Sequence, residues 1–553
     1  MTMNPLAPTQ MLKNIPLFKN LAEADLALVA TQLYRECYPK GATVFNKGDY
    51  GDTLYLIESG QVAVVGENSK ETIAFLGPGS FVGEISLLLA SPRSATLQVL
   101  LDARMWTLSK TNFERLINTR PAIALEMMRE MSKRLVTTTN GQPARSNRRR
   151  ITAVFGGQAL DLANALYAEL NSPIGVLVLP GAQAAVAAPP SRGVMLTHPF
   201  DLTTTTLAEQ LSHQVEVFKH VLVLMPNQAG PIAEKAIELA DTVVSIGRLP
   251  AWFSAVSRCE LWTSAGSATD LARLARRLVN RTVGLALSSG GSRGLAHIGV
   301  MKVLNEENIP IDMIAGTSAG ALFGALYALG WSIERLIAFG DELKGATKIS
   351  NWDFNFPPRT ALVKGRIARN KLIAKWVDHK NFEDTHTPIY MVATDAYTGE
   401  EIVFDSGSLA DAIRASLSIP VLAEPWYYQG RYHLDGGIVN PLPSSVLHKR
   451  GADIIIGSSV VQPMGQSYQG DTHKMPTMMQ TISNVFSAME AEAIEKEYDY
   501  IDVLIQHQVS AGHALDFDQA ARLIELGEQT ARDMLPAIKA ALAAPPASVE
   551  MVR

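Results

Sequence analysis

Gly316-Thr317-Ser318-Ala319-Gly320 constrains this chain more than any other stretch. Ile311-Asp312-Met313-Ile314-Ala315 reads as a short, mostly apolar strand running straight into Gly316, and Ala319 to Leu329 reads as a helix packed with small residues. Glycines on both sides of a serine at a strand-to-helix corner permit a turn too tight for a Cβ. The Ser318 hydroxyl then stands clear of the backbone, the arrangement called a nucleophile elbow. Beside it lies the N-terminus of the new helix, where unpaired N–H groups favour developing negative charge. A G-x-S-x-G match alone is equally a plain Gly-rich turn, so its reading depends on a partner and an anion site elsewhere.

A chain of 553 residues exceeds one core and suggests about three or four domains. Hydrophobic residues make up 47% and charged residues 19%, with a formal net charge of -5, so no basic excess argues for nucleic acid. Cys37 and Cys259 are far apart in sequence, which fits a reducing compartment better than a disulfide framework. No His, Asp or Glu spacing suits calcium or zinc, so no metal is expected. Met1 to Gln10 shows no secretory signal pattern. The uncharged run from Asn171 to Ser191 is broken by Pro173, Gly175, Pro180, Gly181, Pro189 and Pro190, and reads as a buried strand followed by a loop.

Residues 12–140 read as a β-rich domain with helical ends. Thr53 to Ile57 and Gln61 to Val65 read as two strands joined at Glu58-Ser59-Gly60 in a hairpin. Further strands are expected at Thr72 to Leu76, Ala95 to Val99 and Arg104 to Leu108, with helices near 110–118 and 122–136. A short helix starting at Gly83-Glu84 offers free N–H groups to an anion. Arg93 supplies a planar fork for a phosphate, and Glu84 can accept from a ribose hydroxyl. The segment resembles the cyclic nucleotide-binding fold of kinase regulatory subunits and of the catabolite activator protein. The resemblance implies that Gly83, Glu84, Arg93, Ser94 and Ala95 form a phosphate-binding cassette, with cAMP or cGMP as a regulatory ligand.

Residues 141–150 carry Arg145 and Arg148-Arg149-Arg150 and read as a basic linker; no DNA-reading unit follows. Residues 151–280 alternate strand and helix, with strands at Ile151 to Phe155, Ile174 to Leu179, His220 to Met225 and Thr242 to Ile246. Gly156-Gly157-Gln158 stands where a nucleotide fold places its phosphate loop, but lacks the Lys and hydroxyl of a P-loop. This segment reads as a degenerate α/β domain without nucleotide.

From Arg281 the signals converge. Thr282 to Leu287 reads as a buried strand opening into Ser288-Ser289-Gly290-Gly291-Ser292-Arg293-Gly294 and then a helix. Such a loop presents successive N–H groups to an anion, as an oxyanion hole requires. Ser318 needs a base. His297, on the helix after the loop, fits packing better. His433 and Asp435 would share a strand face, and Leu434-Asp435-Gly436-Gly437 closes that strand.

Together the three motifs resemble the patatin family of lipid acyl hydrolases over about Thr282 to Ser458. Pro358-Arg359, Ala393-Thr394-Asp395 and Ala412-Ile413-Arg414-Ala415-Ser416 belong to the same resemblance. It implies Ser318 as nucleophile and Asp435 as general base of a dyad, with Gly316 and Gly320 shaping the elbow and Gly436 and Gly437 completing the Asp motif. Gly290, Gly291, Ser292, Arg293 and Gly294 would form the oxyanion loop. Ser289 stands where the family usually has a further glycine. The residues 281–520 would form the catalytic domain and 521–553 a C-terminal helix and tail.

The whole arrangement is identified as multidomain α/β: an N-terminal β-roll cyclic nucleotide-binding domain, the degenerate α/β middle and a C-terminal patatin-like α/β hydrolase domain. That order is similar to neuropathy target esterase and its bacterial relatives, with one nucleotide domain and no N-terminal anchor. The resemblance implies hydrolysis of phospholipid or lysophospholipid acyl esters, no cofactor for catalysis, and a cytoplasmic location with peripheral contact at the inner membrane face. Two alternatives stay open: a nucleotide-sensing scaffold with an inactive hydrolase domain, and a lipid acyltransferase. The apolar stretch Ile419 to Tyr428 reads either as a packed strand or as a surface that meets lipid, and 473–542 reads as helical. The final helix could pack on the catalytic domain or pair with a second subunit in a homo-oligomer.

Overall fold

The computed structural model describes residues 12, 13, 15, 18, 22–66, 72–89, 91–119, 150–182, 191–199, 201–253, 260–346, 351–357, 360–462, 475, 477–509 and 517–544. It divides into two units, Met1–Val279 and Asn280–Ala547. The expected helix at 122–136, the linker Arg145 to Arg149, Cys259 and Pro358-Arg359 lie outside the described residues.

The first unit opens with an antiparallel β-roll. Its core path runs Tyr34–Tyr38, Thr96–Ser109, Thr53–Val65, Thr72–Leu76, with Thr43–Phe45 and Phe81–Val82 paired at the sides. The expected hairpin at Gly60 is not there. Thr53–Val65 is one strand paired along its length with Thr96–Ser109, which likewise replaces the two strands read at Ala95 to Val99 and Arg104 to Leu108. Register shifts between Ile57 and Val62 absorb extra residues as a bulge instead of a turn. Gly60 has φ 95, and a Cβ there would lie 2.5 Å from the Ala103 Cα and the Asp102 carbonyl. The glycine that reads as a reversal therefore bends a continuous strand.

A six-stranded parallel sheet follows in the same unit, ordered Glu260–Ser264, Thr242–Ile246, Arg150–Phe155, His220–Leu224, Ile174–Val178, Val194–Thr197. The central strands are apolar on both faces because helices cover both, as a parallel sheet requires. The β-roll and this sheet share polar contacts: the Gly60 N–H donates to Ser212 Oγ (2.7 Å), and Lys235 pairs with Asp102 (2.8 Å).

In the second unit the sheet runs Trp426–Tyr428, Arg431–Asp435, Ile389–Asp395, Met313–Thr317, Val283–Leu287, Ile454–Ser459, Val503–Gln506, with Glu401–Phe404 beside Ile389–Asp395. Five of these strands are parallel, from Ile389–Asp395 to Val503–Gln506, and Arg431–Asp435 enters antiparallel. Ligand sites of such sheets lie at the carboxyl ends of the parallel strands. Val503–Gln506 corrects the expectation of helix throughout 473–542. Its buried Val503 and Ile505 alternate toward the core, a period-2 pattern too short to stand out between the helices Met478–Ala493 and Ala520–Ala543. Ile419 to Tyr428 forms a packed strand only at its end: Trp426–Tyr428 is an edge strand, and the stretch before it is loop.

Candidate active site

Sheet register brings the elbow and the Asp motif into one row. Thr317 registers with Val392, and the next residue of that middle strand, Ala393, registers with Asp435. Ser318 leaves the strand with φ 54 and ψ −114, a conformation unusual for any residue with a Cβ. The turn survives because its neighbours have none. A Cβ on Gly316 would sit 2.4 Å from the Gly320 carbonyl oxygen, and one on Gly320 would sit 2.2 Å from the Leu287 carbonyl oxygen. Two further bonds pin the corner: the Ser318 N–H donates to Ser416 Oγ (2.8 Å), and Thr317 Oγ1 donates to the Asn440 carbonyl (2.8 Å).

Ser318 Oγ donates to Asp435 Oδ2 at 2.7 Å, and both residues are buried. The other carboxylate oxygen accepts from the Gly437 N–H at 2.8 Å, which fixes the plane of the group. Gly436 is needed because a Cβ would meet the Val392 carbonyl at 2.4 Å. Burial pushes the Asp435 carboxyl up to about 7. The nearby Glu490 adds to the rise, while the bonds from Gly437 and Ser318 oppose it. A carboxylate in that range is a far better proton acceptor at neutral pH than an exposed one.

The glycine-rich loop leaves the end of Val283–Leu287, next to the elbow. Gly290 has φ 153 and Gly291 φ 58, and Gly291–Leu295 forms a single 3-10 turn. Among the described residues the N–H groups of Gly290 and Gly291 donate to no backbone carbonyl, whereas that of Ser289 is taken by Pro441 (2.8 Å). Arg293 Nε closes the loop onto the Gly290 carbonyl at 3.2 Å. Ser292 is buried, and Gly294 lies so close to the elbow helix that a Cβ would meet the Ala319 Cβ at 2.6 Å. Ser289 does not adopt positive φ, so a side chain is accommodated there without strain. Its hydroxyl donates to the buried Glu490 carboxylate.

Both histidines bond elsewhere. His297 is buried, with Nδ1 2.8 Å from Ser458 Oγ and Nε2 3.0 Å from the Ser288 carbonyl. A carbonyl only accepts, so Nε2 carries the proton, and burial lowers the ring to about 4. His433 faces the edge strand: Nε2 lies 3.0 Å from the Tyr428 carbonyl and the ring packs edge-on against Phe404. Sequence reasoning did not single out Glu490, because one glutamate in an ordinary amphipathic helix looks like a solvated side chain.

In the first unit, Gly83 has φ 93 and precedes the short helix Glu84–Leu89. Arg93 is buried, with Nη1 donating to the Gly83 carbonyl (3.1 Å) and Nη2 to the Thr53 carbonyl (2.8 Å). Its guanidinium lies 4.2 Å over the Phe45 ring, and Nε is buried without a partner. Glu84 and Ala95 are buried and Ser94 is exposed.

Comparison with known proteins finds two domain matches. Residues 285–448 match the family model described as patatin-like phospholipase, and 35–120 match the cyclic nucleotide-binding domain. The chain therefore carries a patatin-like phospholipase domain, the mark of a carboxylic ester hydrolase, with a cyclic nucleotide-binding domain N-terminal to it. Its homologues are NTE family proteins. One, the "Uncharacterized NTE family protein" of Mycobacterium tuberculosis, is 25% identical across 95% of this chain and 96% of its own length. "Neuropathy target esterase sws" of Drosophila melanogaster is 37% identical over 35% of this chain and 14% of its own. "Lysophospholipase NTE1" of Debaryomyces hansenii is 36% identical over 34% of this chain and 12% of its own. Among the described residues no helix is long and apolar enough to cross a membrane, and no group of three or more His, Cys, Asp or Glu could hold a metal ion.

Proposed function

We propose that this chain hydrolyses the acyl esters of phospholipids or lysophospholipids, with Ser318 as nucleophile and Asp435 as general base. The observation that carries this reading is the 2.7 Å bond from Ser318 Oγ to a buried carboxylate whose ionisation is shifted to about 7. Asp435 takes the Ser318 proton as the hydroxyl attacks the ester carbonyl. The N–H groups around Gly290, Gly291 and Ser292 hold the oxyanion, with Arg293 and Gly294 shaping their loop. Asp435 returns the proton to the departing alcohol. It then deprotonates the water that releases the fatty acid. The phospholipase match and the relative named as a lysophospholipase support the substrate class.

cAMP or cGMP, bound by Gly83, Glu84, Arg93, Ser94 and Ala95, regulates the activity in this reading. The domain match and the buried Arg93 fork support it. The protein acts from the cytoplasm at the inner membrane face, and its domains follow residues 12–140, 151–280 and 281–520.

Hydrolysis of lysophosphatidylcholine by the full chain, beside Ser318→Ala, tests the reading: release of fatty acid by the parent alone supports it, and equal rates overturn it. Fluorophosphonate labelling mapped to Ser318 gives an independent check. Product analysis with glycerol present distinguishes hydrolysis from acyl transfer.

A further inference from the structure

The lipid reading of the site raises the question of where a substrate held in a bilayer would be met. One loop system beside the dyad answers it. Asn355 and Leu362 are joined by a backbone bond (2.9 Å), and Leu362 and Val363 donate to the carbonyls of Val421 and Leu422 (2.9 and 3.0 Å). The two loops so joined expose Phe356 at 97%, Phe354 at 57% and Val421 at 43%. Val421 is held at φ 68, an uncomfortable conformation for a β-branched residue.

This ridge is braced, not loose. Arg414 is buried beneath it, donating to the carbonyls of Lys364 (3.0 Å), Gly365 (3.3 Å) and Glu424 (3.0 Å) and to Ser418 Oγ (2.6 Å). The same helix end reaches the dyad. Ser416 Oγ accepts from the Ser318 N–H, and the Ser418 carbonyl accepts from the Asp435 N–H (2.9 Å). The backbone that carries these exposed aromatic side chains is therefore hydrogen-bonded, through the Arg414 helix, to the segments that hold the dyad.

Charge on the ridge is sorted. The Asp353 carboxylate is turned inward onto the N–H groups of Gly365, Arg366 and Ile367. Glu424 is occupied by Asn355 and Thr360. Lys364 and Arg366 are exposed, and their charges reach Glu424, though neither makes an ion pair at contact distance among the described residues. The outward face thus presents apolar tips with cations beside them, the pattern that suits the interface of an anionic bilayer.

We propose that Phe354, Phe356 and Val421 insert into a phospholipid bilayer, with Lys364 and Arg366 on its anionic head groups, and so set the catalytic crevice at the lipid surface. The inference deepens the lipid-ester reading and rests on it for its purpose, but its test does not use catalysis.

Full-length protein carrying Ser318→Ala is floated with vesicles of phosphatidylcholine alone or mixed with phosphatidylglycerol. Binding is expected, stronger with phosphatidylglycerol and weakened by salt. Phe356→Ser, at a side chain almost wholly in water, should weaken it about tenfold at an unchanged melting temperature. Lys364→Glu with Arg366→Glu should abolish the phosphatidylglycerol preference. Parental vesicle binding by Phe356→Ser overturns the proposal, as does a loss of self-association in that variant while vesicle binding persists. Absent vesicle binding by protein that still hydrolyses monomeric lysolipid with Ser318 intact overturns the docking and leaves the esterase reading standing.

Discussion

The Ser289 hydroxyl donates its hydrogen bond to the carboxylate of Glu490, and neither residue reaches water. One end of the glycine-rich loop is thereby tied to the helix Met478–Ala493. Burial raises the Glu490 carboxyl, with the Ser289 bond and the charge of Arg293 opposing, and Glu490 in turn raises Asp435. Glu490→Gln keeps an acceptor for Ser289 and removes the charge, so folding should be retained while the acidic limb of the pH–rate profile moves to lower pH. Glu490→Ala leaves the Ser289 hydroxyl unsatisfied and should cost about 1–3 kcal/mol in denaturant unfolding. A Gln variant with the parental pH profile would remove Glu490 from any influence on the base.

In the proposed mechanism Asp435 must be ionised to accept a proton, and burial pushes its carboxyl up to about 7. kcat/KM should therefore fall below that pH, by about tenfold per unit once the group is mostly protonated. Asp435→Asn should lower kcat by about 10²-fold or more.

The stability effect of the same group has the opposite sense. A folded-state value raised above the ordinary 3.8 gives stability that is present below that value and lost as pH rises through about 7. The melting temperature of Asp435→Asn should thus gain on the parent between pH 4 and pH 8. Equal differences at both ends would contradict it.

Gly320→Ala drives a Cβ to 2.2 Å from the Leu287 carbonyl oxygen, and backbone cannot step aside there. A loss of about 3 kcal/mol is expected. Gly399→Ala, where nothing lies within 4 Å, carries only the strain of φ 73 and should cost about 1 kcal/mol. Urea unfolding of the two proteins compares packing with strain.

Calorimetry with cAMP and cGMP tests the nucleotide site. The parent should bind at least one of them and Arg93→Ala neither. That variant should also lose about 1–3 kcal/mol, because the Gly83 and Thr53 carbonyls lose their donors. Arg93→Lys keeps the charge without the fork and should bind more weakly than the parent. Absence of heat with folded parent protein and either nucleotide would remove the regulatory reading.

Close backbone approach explains why so much of the site could be read from the sequence. Gly316, Gly320 and Gly436 are glycines because carbonyl oxygens occupy the space a Cβ would fill, so packing is written directly as residue type. Arg414 and Ser416 were legible only as members of the stretch Ala412 to Ser416, without their roles, and Glu490 was not legible. Each acts through a partner distant in the chain, and no local pattern distinguishes such a glutamate from one facing water. Gly60 was legible as a special position but not as a bend, since turn and bulge both ask for positive φ. Val503–Gln506 was obscured by its brevity, and its strand character comes from pairing with Ile454–Ser459.

The left-handed backbone at Ser318 also limits what evolution or design could install there. Threonine carries the same hydroxyl, but a branched Cβ crowds the carbonyl at positive φ. Cysteine keeps an unbranched Cβ and fits the corner. The geometry of one residue thus leaves thiol chemistry open to this scaffold and closes the route through a secondary alcohol.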